Sequence, residues 1–89
     1  MPIQILSSPS APLETARDLE GAIRAAFPDA RVEVHANSAG HFEIRVVSAS
    51  FAGQSRVVQQ QRVYAAIAHL MKGDAAPVHA VDRLVTEPA

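Results

Sequence analysis

The chain has 89 residues, with 8 basic and 9 acidic side chains and a formal net charge of −1. A chain this short builds one modest core and little spare volume for a deep substrate pocket, so a groove or an edge is the expected place for binding. The near-neutral balance supplies no global attraction for phosphates, and the absence of Cys excludes disulfides, thiolate catalysis and all-thiolate metal sites.

Residues 1–11 carry Pro2, Pro9 and the serines Ser7, Ser8 and Ser10, which read as a flexible or extended lead-in. They lack the positive start and long apolar run of a signal peptide, and no stretch of about 18 apolar residues follows. The expected location is cytoplasmic, with no membrane contact. Pro12 suits a first helical turn capped by Ser10. Ala16, Leu19, Ile23 and Ala26 then fall on one helical face, which predicts a helix over about 12–26. Phe27-Pro28-Asp29 ends it, because the residue before a proline is pushed out of the α region.

Arg31 to Ala36 alternates polar and apolar, as does His41 to Val46. Two half-buried strands joined through Asn37-Ser38-Ala39-Gly40 predict a β-hairpin with a loop of four or five residues. Ser48 to Gln54 reads as a loop whose Phe51 plugs the core. Ser55 caps a helix over roughly 56–72, with Val63, Ile67 and Leu70 on its inner face. Gln59-Gln60-Gln61 reads as a solvated face, and Lys72-Gly73 as the helix end. Val78 to Val85 is the third strand. A domain over 12–86 and a tail over 87–89 complete the expected organisation.

The helix between the second and third strands is a crossover, so those strands should be parallel. Their N-termini then lie at one end of the sheet. His41 opens the second strand and His79 is the second residue of the third. Neighbouring strands are about 4.8 Å apart, so both imidazoles would face one small volume. Read from the residues alone, the pair is either two surface histidines or half of a metal site completed by a partner. His35 and His69 read as solvated. No nucleophile elbow and no Gly-rich phosphate loop is present, so the expected class is a binding protein and not an enzyme acting alone.

The run His41-Phe42, Val46-Val47-Ser48, Phe51-Ala52-Gly53, Ser55-Arg56-Val57, Gln60-Gln61, Val63-Tyr64 and Val78-His79-Ala80-Val81 resembles the BolA family, most of all its IbaG-like branch. The resemblance implies an α-β-β-α-α-β fold of the α+β class, related to type II KH domains, with a three-stranded mixed sheet. It also implies pairing with a monothiol glutaredoxin. The pair holds a two-iron, two-sulfur cluster with glutathione, and His79 and His41 occupy the positions of the family's ligands. The implied role is an adaptor or regulator in iron–sulfur cluster trafficking or iron homeostasis. Imidazole ligation on one iron raises the potential of such a cluster, as in Rieske centres. The sequence departs from the family at Gln59-Gln60, where Arg-His is frequent, and at Asp82-Arg83-Leu84, where an Ile-Lys pair is common. The alternative is a DNA-binding transcription regulator using a patch of Arg45, Arg56, Arg62 and Arg83. It lacks the GxxG loop that clamps a KH backbone. A homodimer is also left open.

Overall fold

A computed structural model describes the backbone of residues 3–89 and the side chains of residues 12–89. Helix α1 (Ile3–Ala26) leads into strands β1 (Arg31–Ser38) and β2 (His41–Ser48). A single 3-10 turn (Ala49–Phe51), helix α2 (Arg56–Ile67), a second 3-10 turn (Ala68–Leu70) and strand β3 (Ala80–Pro88) follow. The sheet order is β1-β2-β3, with β1 antiparallel to β2 and β3 parallel to β2. This is the expected mixed α+β architecture.

Several boundaries differ from the expectation. Helix α1 begins at Ile3 rather than near residue 12. Helix α1 therefore runs through most of the lead-in expected over 1–11 and through Ser10, which lies inside it and does not cap it; Met1 and Pro2 fall outside the described residues. The hairpin loop is Ala39-Gly40 alone, because β1 continues to Ser38. Gly40 takes φ 81°, the left-handed region that a side chain disfavours. The loop after β2 contains the 3-10 turn, capped by the Ser48 hydroxyl, which accepts from the Ser50 N–H. Helix α2 ends five residues before Lys72, its final turn tightening to 3-10. Strand β3 runs two residues beyond residue 86, so Glu87 and Pro88 belong to the sheet and not to a tail.

Both helices cover one face of the sheet. Leu19 and Ile23 from α1 and Val63 and Ile67 from α2 are fully buried against Phe42, Ile44 and Val46 of β2. Burying each such side chain is worth about 1.5–3 kcal/mol. Phe51 plugs the core as expected and meets Phe27 edge to face at 5.1 Å. Gln59 departs from the solvated reading: it is buried, and its amide donates to the Gln54 carbonyl at 3.0 Å. Val57 and Val58, in the first turn of α2, are exposed. The other sheet face is open and carries Glu33, His35, Glu43, Arg45, Arg83 and Glu87. Among the described residues, no helix is long and apolar enough to cross a membrane.

Candidate functional site

The parallel crossover brings the two expected histidines together. In the β2–β3 register His41 stands beside Ala80, so His79 is the residue immediately before β3 and not its second residue. The Gly40 carbonyl accepts from the main-chain N–H of His79 at 2.8 Å and of Ala80 at 3.0 Å. The hairpin tip thereby pins the start of β3 beside the start of β2. The rings of His41 and His79 lie 6.5 Å apart, centroid to centroid, at 79°. His79 is exposed and His41 half-buried. Gly40 is buried under them: a Cβ there would stand 2.8 Å from the Nδ1 of His79.

Two β-bulges frame the same spot. Asn37 is the extra residue between the pairs Ala36–Phe42 and Ser38–His41. Asp82 is the extra residue between Phe42–Val81 and Glu43–Arg83. A bulge bends its strand and re-aims a side chain. Here the two bulged side chains meet across the middle strand: the Asn37 amide donates to Oδ2 of Asp82 at 3.0 Å. Oδ1 of Asp82 lies 3.1 Å from Nδ1 of His41. The hydrogen bonds from Asn37 and His41 hold the Asp82 carboxyl below its ordinary pKa, so it is ionised at neutral pH. A carboxylate only accepts hydrogen bonds, so Nδ1 of His41 carries the donated proton. In the neutral imidazole the free lone pair is then on Nε2.

This arrangement offers two nitrogen donors at one end of a sheet. Among the described residues, no group of three or more His, Cys, Asp or Glu is placed to hold a metal ion, and the whole chain has no Cys. Two imidazole nitrogens are donors that an imidazole-tolerant metal centre accepts, and they are too few to hold one by themselves.

The other candidates lie elsewhere. His35, on β1, stands opposite Glu43, and His69 sits in the second 3-10 turn, lining a shallow groove between α1 and α2. Arg83 links Arg45 and Arg56 along the sheet, and Arg62 lies apart from them. Arg45 lies on the open sheet face, paired with Glu87 at 2.9 Å and Glu33 at 3.9 Å. Arg62 is occupied on the helical side, donating to the Ser50 carbonyl and Gln54 Oε1, its guanidinium 4.9 Å from the centre of the Phe27 ring. Arg56 and Arg83 line a depression along β3 with Gln60 and Thr86. Sequence reasoning missed Gly40 as the seat of His79 and Asp82 as the partner of His41. The adjacency Gly40-His41 was the available signal for the first; a bulge depends on the partner strand and leaves no local signal.

Comparison with known proteins agrees with this fold. The family model for BolA-like proteins matches residues 24–88. A curated relative, an uncharacterized protein in the rpoN-murA intergenic region of Acinetobacter guillouiae, is 43% identical over 60 residues, covering 66% of this chain and 68% of its own. A bolA protein homologue from Coxiella burnetii superposes with a TM-score of 0.66 at 27% identity, covering 81% of this chain and 87% of the other. The BolA domain of SufE1 from Arabidopsis thaliana shares the fold with a TM-score of 0.72 at 21% identity, over 83% and 91% of the two chains. With the family model matched over residues 24–88 and the same α+β fold with a mixed sheet, the chain belongs to the BolA-like family.

Proposed function

We propose that this BolA-like protein contributes His79 and His41 to a two-iron, two-sulfur cluster held jointly with a monothiol glutaredoxin and glutathione, and so acts as an adaptor or regulator in cluster trafficking or iron homeostasis. One observation carries the reading: two imidazoles 6.5 Å apart, on a chain without Cys, at one accessible end of the sheet. When bound, the cluster supplies iron that accepts imidazole nitrogen. This chain's part is to present two imidazole nitrogens while the partner supplies thiolates. On this reading the protein is a binding partner and not an enzyme, and it holds no cluster alone.

The test is reconstitution with a glutathione-loaded monothiol glutaredoxin, followed by visible absorption and circular dichroism. The mixture should form a coloured heterocomplex, and the protein alone should stay colourless. His79→Ala should abolish or alter the spectrum. An unchanged spectrum and cluster lifetime in His79→Ala would refute the assignment. The DNA-binding reading loses Arg62, which is committed to Phe27 and Phe51, and keeps Arg83, which lies with Arg45 on the open sheet face and with Arg56 along β3.

A further inference from the structure

His41 opens a strand beside a two-residue turn, a place where a ligand side chain would ordinarily sample several orientations. Its surroundings do not leave it free. The bulge in β1 and the bulge in β3 lie on either side of Phe42, and each turns one polar side chain toward the same end of the sheet. Asn37 and Asp82 are 45 residues apart in sequence and hydrogen-bonded at 3.0 Å. The carboxylate divides its oxygens: Oδ2 takes the Asn37 amide and Oδ1 takes the His41 ring. Either bulge alone would aim one side chain; together they build a brace across β2. Neither Asn37 nor Asp82 is part of the core.

We propose that Asp82, braced by Asn37, is a positioning residue that fixes the ring orientation and tautomer of His41 so that Nε2 is presented outward as the donor atom. The proposal rests on the reading of His41 as a ligand. The physical reason is general: a histidine whose Nδ1–H is held by a carboxylate keeps its Nε2 lone pair free and does not have to be reoriented when a metal arrives, and loss of such a partner typically weakens metal binding by about 10–100-fold. Asp82 acts through His41 and touches no metal itself. His79 has a different support, the Gly40 carbonyl and α-carbon, so the two imidazoles are held by independent devices.

The experiment has two arms. In the free protein, long-range proton–nitrogen correlation spectra report the His41 tautomer. Wild type should show the proton on Nδ1, Asp82→Ala a mixture of tautomers, and Asp82→Asn, which keeps one acceptor oxygen, an intermediate result. Backbone amide spectra check that each variant is folded. Unchanged His41 ring signals in folded Asp82→Ala would overturn the proposal. In the second arm the glutaredoxin heterocomplex is challenged with a chelator: Asp82→Ala should lose its cluster about 10-fold faster than wild type, with Asp82→Asn between them. If His41→Ala speeds cluster loss and Asp82→Ala does not, the proposal falls while the ligand reading stands. If the tautomer shifts as expected but neither His41→Ala nor Asp82→Ala changes cluster lifetime, the positioning role is upheld and the ligand reading of His41 falls.

Discussion

Gly40 is the seat of His79. Its carbonyl accepts the His79 N–H at 2.8 Å, and its bare α-carbon lies under the ring, where a Cβ would come within 2.8 Å of Nδ1 and 2.9 Å of Cγ. The same glycine takes φ 81° at the end of the two-residue hairpin loop. A backbone requirement of the turn and a steric requirement of the site therefore fall on one residue.

Gly40→Ala should accordingly do two things. The left-handed backbone should cost about 1–3 kcal/mol of stability, read as a lower urea midpoint. The added methyl should also displace the His79 ring, shifting its NMR signals while the core signals stay in place. A variant as stable as wild type with unmoved His79 resonances would show that the contact is not tight in solution.

Core and site residues should separate cleanly in stability. Ile67 is fully buried between the helices and the sheet, so Ile67→Ala should cost about 2–5 kcal/mol, a large part of the roughly 5–15 kcal/mol that holds a domain together. His79 is exposed, so His79→Ala should stay within about 0.5 kcal/mol of wild type. Thermal melts of both variants check this, and equal losses would mean that the His79 side chain is structural.

Asp29 should make the fold acid-sensitive. It accepts hydrogen bonds from the Ala49 N–H at 2.8 Å and the Ser48 hydroxyl at 2.9 Å, tying the end of α1 to the 3-10 turn after β2. These bonds, the Ala49 N–H first, lower its pKa. A carboxylate with a lowered folded pKa stabilises above its unfolded pKa of roughly 4, and that stability is lost as pH falls through the lower folded value. Asp29→Asn should thus be less stable than wild type at pH 7, with the gap closing below about pH 4. Denaturation curves across pH measure the gap; a constant difference would rule this origin out.

Arg62 should behave as a packing residue. Its guanidinium lies 4.9 Å from the Phe27 ring centre and 5.5 Å from that of Phe51, and it donates to Ser50 and Gln54. Arg62→Ala should cost about 1–3 kcal/mol. Arg62→Lys should recover only part of that, because an ammonium lacks the planar fork that stacks and bonds at once. Full recovery by lysine in urea titrations would reduce the contribution to charge alone.

Much of the fold was legible because it depends on local periods. Alternation in 31–36 and 41–46 marked the hairpin, the stripe through Leu19 and Ile23 marked the inner face of α1, and the helix between β2 and β3 required parallel strands. From that crossover alone His41 and His79 had to share one end of the sheet, and they do. What the sequence left open depends on partners far along the chain. The bulges at Asn37 and Asp82 exist only as mismatches of register with β2. The bulge at Asp82 shifts the phase of β3, so that Val81 and Leu84, three residues apart, both pack toward the core, which strict alternation does not allow. Gln59 is buried because Gln54 offers its amide a carbonyl, and Arg62 is drawn from solvent by two aromatic rings from other segments. Local periodicity determined the elements and the end of the sheet where the histidines meet; cross-strand register, which no single segment encodes, decided how His41 is held there.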